Sequence, residues 1–211
     1  MLKFSAALLA AVAVALPAPA PVAEPLPMPT PPGIPTASQA SSRLSSLTVS
    51  AYYDDGNYDR DLFPHWETYS GSCNTREYVL QRDGEDVVVS SSCAASSGTW
   101  YSPYDGATWT AASDVDIDHM VPLKNAWVSG ANDWTTSKRE SFANDVTRPQ
   151  LWAVTDNVNQ SKGSKSPDEW KPPLSSFDCV YAKSWIQVKY YWDLTITSAE
   201  KSALDDMLDT C

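Results

Sequence analysis

The sequence predicts an α+β fold: a single disulfide-stapled domain with small strands and C-terminal helices. Three observations carry that expectation. Short β-rich runs within 77–90, 115–119 and 148–155 are interleaved with segments of helical spacing. Beyond residue 175, Phe177, Val180, Tyr181, Val188 and Tyr191 recur at helical spacing, and the box Thr197-Ser198-Ala199-Glu200 opens a last helix through Leu204 and Leu208. Four cysteines, at 73, 93, 179 and 211, follow an export-type leader, which makes two disulfides the default.

The chain opens MLKFSAALLAAVAVALPAPA, with Lys3 ahead of an apolar run from Phe4 to Leu16 and small residues at Ala18 and Ala20. That is the layout of a signal peptide over residues 1–20, and its run is shorter than the roughly 20 residues a bilayer span needs. No later segment comes close, so a secreted, extracellular protein with no membrane partner is expected. Residues 21–46 are rich in proline, serine and alanine and show no periodic apolar face. A disordered linker or propeptide is expected there, because such a composition cannot offset the entropy of ordering it. The remainder, 47–211, is the size of one domain and carries the tryptophans and tyrosines for a core.

In EYVLQRDGEDVVVS, 77–90, two β-rich runs flank Asp83-Gly84, which predicts a hairpin turning at that pair. The turn-rich aromatic stretch 96–109 is expected to pack beneath it. At 115–119, Val115 and Ile117 alternate with Asp114, Asp116 and Asp118, the pattern of a half-buried strand with aspartates on its polar face, ended by Pro122. Residues 135–145 read as an exposed helix and 148–155 as a second strand. Thr155 or Asp156 can then cap a helix beginning DNVNQSK, which Gly163 ends. Of the three possible cysteine pairings, Cys73–Cys93 and Cys179–Cys211 are favoured, since each brackets one local unit. A zinc site would need close pairs such as CxxC, and the chain has none.

A net charge of −11 argues mildly against a nucleic-acid partner, because phosphate binding is driven by lysine and arginine. The distribution softens this. Between His119 and Ser175 the basic residues 124, 138, 139, 148, 162, 165 and 171 slightly outnumber the acids, which suits an enzyme that must release a polyanion.

The densest chemistry lies in DVDIDHMVPLKN, 114–125, which holds one of only two histidines. A strand ending Asp118-His119, a second strand, and a helix with Asn157, Asn159 and Lys162 can converge on one surface. Cleavage at an oxyanion centre calls for a hard cation on oxygen ligands and a base for water. Magnesium takes only one or two protein ligands, which a carboxylate and an amide oxygen can supply. A neutral imidazole can be the base. His65, in LFPHWE, lacks such company and reads as a packed or surface ring. The tryptophans at 127, 134, 152, 170, 185 and 192 read as core rather than as stacking platforms for bases.

DIDHMVPL, with the later LWAVTDNVNQSKGSKSPDEW, resembles the HNH branch of the His-Me finger (ββα-metal) nucleases, nearest to its secreted GmrSD-like group. The matching parts are Asp118-His119, Pro122, and Asn159 with Lys162-Gly163; TREYVL after a cysteine and SGTWYSPYDG extend the likeness over most of residues 70–173. The resemblance implies His119 as general base, Asp118 and Asn159 as metal ligands, Asp116 or Asn157 supporting them, and Lys162 against a phosphate oxygen. It implies a divalent cation, magnesium first and manganese or calcium next, and cleavage leaving 5′-phosphate and 3′-hydroxyl ends. One departure is that the final histidine of the HNH name is replaced here by asparagine or lysine.

Arg148, at the mouth of the second strand, and Arg76, in CNTREY, are further candidates for phosphate contact, with a structural role favoured slightly at Arg76. Asn159-Gln160-Ser161 is the one N-x-S/T sequon, and this asparagine is expected to stay unglycosylated because it faces the site. The leading functional expectation is a secreted, non-specific, metal-dependent endonuclease acting on DNA and in second place RNA. A secreted binding or effector protein on an inactive nuclease scaffold is the alternative, and a hydrolase of smaller phosphodiesters is a third.

Overall fold

A computed structural model describes residues 30–211. The signal peptide expected at 1–20 and the first part of the proline-rich segment lie outside the described residues. In chain order the elements are α1 (Ala37–Ser46), β1 (Thr68–Ser70), β2 (Cys73–Asn74), α2 (Thr75–Asp83), β3 (Gly84–Val89), β4 (Ala95–Tyr101) and β5 (Thr108–Trp109). They continue as β6 (Val115–His119), α3 (Leu123–Val128), α4 (Thr136–Ala143), β7 (Leu151–Thr155), α5 (Asp156–Lys162), α6 (Asp178–Trp192) and α7 (Ser198–Leu208). The strands pair antiparallel in three small sheets, β1–β2, β3–β4–β5 and β6–β7, so the α+β expectation holds.

The alternation read in 115–119 does form a strand, and β7 runs against it with Val115 opposite Thr155 and His119 opposite Leu151. Both faces of this pair are covered. Val115, Ile117, Leu151 and Ala153 meet Val79, Leu80 and Trp100 in a small core on one side. On the other, Trp152 and Val154 join the main core, which gathers Tyr104, Phe142, Phe177, Tyr181, Trp185 and Leu204. The aspartate side of β6 is therefore not a solvated polar face. Asp118 is buried, because α5 and the aromatic layer lie over it.

Three expectations need correction. The hairpin does not turn at Asp83-Gly84: residues 75–83 are helix α2, and the hairpin is β3–β4, closed by residues 90–94. The helix wins because Asn74 and Glu77 form a reciprocal capping box, Asn74 Oδ1 accepting from the Glu77 amide and Glu77 Oε2 from the Asn74 amide, while Gly84 ends it. The stretch 96–109 is likewise largely strand, as β4 and β5. Residues 37–46 of the supposed linker are a helix. Thr36 and Gln39 cap α1 reciprocally, and Ala40, Leu44 and then Leu47 bury an i, i+4, i+7 stripe against α6 and α7.

Both disulfides pair as expected, Cys73–Cys93 and Cys179–Cys211. The first ties β2 to the closed end of the β3–β4 hairpin rather than to its open end. The second joins the start of α6 to the end of α7, whose own start carries the expected Thr197–Glu200 box. The helix expected at 135–145 is α4, but it is less exposed than expected, since Arg139, Phe142 and Ala143 are buried. Trp127, Trp152, Trp185 and Trp192 are buried and Trp134 and Trp170 pack on the same core, as expected.

Candidate active site

The β6–β7 pair followed at once by α5 is a ββα unit. No loop separates β7 from α5, since Thr155 ends one and Asp156 starts the other. Gly163 ends the helix with a positive φ of +54° that favours glycine, its amide on the Asn159 carbonyl. This geometry fixes four side chains relative to one another, those of Asp116, Asp118, Asn159 and Lys162.

His119 is buried at the end of β6, and its Nε2 lies 2.9 Å from the Ala143 carbonyl. A carbonyl oxygen can only accept, so Nε2 carries the hydrogen and Nδ1 keeps its lone pair. Burial pushes the imidazole down from 6.5 to about 3; the bond to Ala143 opposes this, and the charges of Arg60 and Lys162 add to it. The ring is thus neutral across the physiological range. Trp66 stacks on it at 5.6 Å between centroids and 27° between planes, and His65 stands edge-on at 6.5 Å. Trp66 adopts φ +61°, a left-handed backbone that a bulky residue avoids, at a cost of order 1–3 kcal/mol.

Asp118 and Lys162 form a buried ion pair. Lys162 Nζ, fully buried, donates to Asp118 Oδ1 at 2.9 Å, to Asp118 Oδ2 at 2.7 Å and to the His119 carbonyl at 2.9 Å. Those three bonds use all three ammonium hydrogens. Tyr104 Oη donates to Asp118 Oδ2 at 2.5 Å. Burial raises the carboxyl and lowers the ammonium from their ordinary values, and each charge partly offsets the shift of the other. Beside this pair, Asn159 Nδ2 donates to Asp116 Oδ2 at 3.0 Å, which leaves the amide oxygen of Asn159 uncommitted.

These groups border a cavity of about 360 Å³ lined by Tyr58, Arg60, Asp118, His119, Lys124 and Asn159, among others. Of the residues expected from the sequence, Asp118, His119 and Asn159 meet there, and Asp116 supports Asn159 from behind. Lys162 does not reach it. With every donor engaged and no exposed surface it cannot touch a phosphate, so its expected role is replaced by that of holding Asp118. Asn157 points to the exposed side of α5. Arg148 pairs with Asp145 at 3.2 Å and lies over the Tyr191 ring, away from the cavity. Arg76 donates to the carbonyls of Ala112 and Val115, a structural tie between α2 and the start of β6.

Arg60, Lys124, Trp66 and Tyr104 were not among the residues expected at the site. Arg60 and Trp66 come from the segment before β1, and no local pattern ties that segment to β6. Tyr104 lay in the SGTWYSPYDG stretch already noted, and Lys124 in the same twelve residues as His119.

An oxygen-only donor set suits a hard divalent cation. Asp118 Oδ1 accepts one bond and has a second lone pair, and Asn159 Oδ1 is free, which together match the one or two protein ligands magnesium takes. Among the described residues no cluster of three or more His, Cys, Asp or Glu side chains is placed to hold a metal. The set does not fit a zinc site of nitrogen and sulfur ligands.

Residues 60–207 match the family described as GmrSD restriction endonucleases, C-terminal domain. A protein of Arthroderma benhamiae described as an "Uncharacterized secreted protein" is 66% identical over 180 residues, covering 85% of this chain and 88% of its own length. That relative agrees with the export expected from the leader: the protein is secreted. No helix among the described residues is long and apolar enough to cross a membrane. No solved structure matches.

Proposed function

The chain belongs to the family of GmrSD restriction endonuclease C-terminal domains, and on that premise we propose that it is a secreted, metal-dependent endonuclease hydrolysing phosphodiester bonds in DNA, with RNA as a second polymer. The observation that carries the reading is the state of His119. Its Nε2–H is committed to the Ala143 carbonyl, so a neutral ring with an unprotonated Nδ1 borders a cavity shared with Asp118 and Asn159.

In this mechanism His119 Nδ1 takes a proton from a water whose oxygen attacks phosphorus, and the bond from phosphorus to the 3′ oxygen breaks. Asp118 and Asn159 would hold a divalent cation, magnesium first, which would supply positive charge against the leaving oxygen. Asp116 orients the Asn159 amide, and Lys162 with Tyr104 fixes the Asp118 carboxylate. Non-specific cleavage follows from the absence of a recognition helix or zinc module in the sequence.

Plasmid nicking in magnesium or manganese, with and without EDTA, tests the reading. The wild type nicks, EDTA stops it, and His119→Ala loses about 10²- to 10⁴-fold, the usual contribution of a positioned base. If the wild type leaves both plasmid and RNA intact, the proposal fails.

A further inference from the structure

We propose that Arg60 and Lys124 form the phosphate grip of this cavity, holding the nucleic-acid backbone beside His119; the inference rests on the endonuclease reading above. The argument begins with the charges. Two basic side chains, Arg60 and Lys124, line the cavity against one acid, Asp118, and Asp118 is already neutralised by the buried Lys162. The cavity is therefore positive on a chain of net charge −11.

Arg60 is exposed, and among the described residues its guanidinium makes no hydrogen bond or ion pair. Its acidic neighbours do not hold it: Asp59 Oδ1 instead caps the short turn Arg60–Leu62 by accepting from the Asp61 amide. A guanidinium with all its donors unspent, near a proposed base, has the fork geometry that meets two oxygens of one phosphate.

Lys124 lines the same cavity. Its only ionic partner among the described residues is Asp54, at 3.8 Å, with both side chains about half exposed, a contact of little strength. Lys124 and Ser164 also border a neighbouring hollow of about 270 Å³ that contains Asp54 and Glu169. Its two carboxylates repel phosphate, so the backbone is confined to the side between Arg60 and Lys124. Asp54 thus acts against the grip, by drawing on the charge of Lys124.

The test measures binding apart from cleavage. A fluorescein-labelled single-stranded DNA is titrated into His119→Ala protein over a salt series and followed by anisotropy. Adding Arg60→Ala weakens binding and lowers the log–log salt slope by about 0.7, one phosphate contact on a single strand. Lys124→Ala acts in the same direction, and Arg60→Lys recovers part of the affinity. Asp54→Asn, which keeps the acceptor for the Gly56 amide, tightens binding, a gain that misfolding cannot mimic. The same series on chains with His119 intact, in EDTA, serves if His119→Ala does not fold.

Affinity and slope unchanged by Arg60→Ala overturn the inference; if the wild type still nicks plasmid, the endonuclease reading stands without it. Loss of nicking with Arg60-dependent binding intact removes the enzyme reading and leaves the grip as a polyanion site.

Discussion

Two lysines, Lys162 and Lys189, are fully buried in this protein, and their surroundings differ in an instructive way. Lys189, on α6, donates to Ser129 Oγ at 2.8 Å and the Thr195 carbonyl at 2.9 Å, and pairs with Glu200 Oε1 at 3.1 Å. Glu200 is completed by Trp185 Nε1 at 2.5 Å and the Tyr52 hydroxyl at 2.9 Å. Lys162 is satisfied as fully by Asp118 and the His119 carbonyl. Each ammonium even lies 5.9 Å from the same Trp185 ring. Yet one carboxylate is sealed among α6, α7 and the chain before α3, while the other borders the cavity beside His119. The same device serves in one place to join helices and in the other to hold a cavity-lining carboxylate still.

The largest effects come from breaking either pair. Lys189→Met leaves Glu200 charged and buried, and should cost about 3–5 kcal/mol of unfolding free energy in urea titrations. The double variant Lys189→Met/Glu200→Leu should recover much of that loss and keep nicking plasmid. Lys162→Met should destabilise on the same scale. Its double variant Lys162→Met/Asp118→Leu should regain stability but stay inactive. Activity surviving in the second double variant would erase the distinction between the pairs.

The next effect is on pH, and in the acid range it comes from the site side. Below pH 6.5 the unfolded chain takes up a proton at residue 119 that the folded chain refuses until about pH 3. Stability is therefore lost as pH falls through that window, by about 2 kcal/mol between pH 7 and 5 at 1.36 kcal/mol per proton and pH unit. Urea midpoints at the two pH values should drop further for the wild type than for His119→Asn. Equal drops would mean that His119 is not held neutral.

A smaller effect separates the hydroxyl contacts. Tyr104→Phe removes one donor from Asp118, at roughly 1.5–3 kcal/mol for a bond to a charged group. Tyr52→Phe removes one from Glu200 of similar worth. Both should lower the melting temperature, and only Tyr104→Phe should lower nicking relative to the amount of folded protein.

The β6–β7–α5 unit was legible because its signals are local: alternation at 115–119, a proline stop, and a helix ended by glycine. The C-terminal helices and both disulfides were legible for the same reason. What escaped was decided by competition or by distance. At 75–83 a strong Asp-Gly turn signal concealed the Asn74–Glu77 capping box. At 37–46 a serine-rich composition concealed a buried stripe of only three apolar residues, Ala40, Leu44 and Leu47. Arg60 and Trp66 reach the site through the tertiary fold, which no spacing within their own segment reveals. Lys162 was recognised as part of the motif, but its role depends on burial, and burial turned a surface cation into an internal clamp.

The bond between Cys179 and Cys211 closes a loop over α6 and α7 that carries the buried Lys189, and Cys73–Cys93 closes another beside the small core. By chain entropy, loops of 32 and 20 residues are each worth roughly 3–4 kcal/mol. A chain still in a reducing cytosol lacks both. Its fold is weakest where the surroundings are reducing and firms up where both bonds form, so stability follows the redox state of the compartment. Urea midpoints measured with and without dithiothreitol report how much of the stability the two bonds supply.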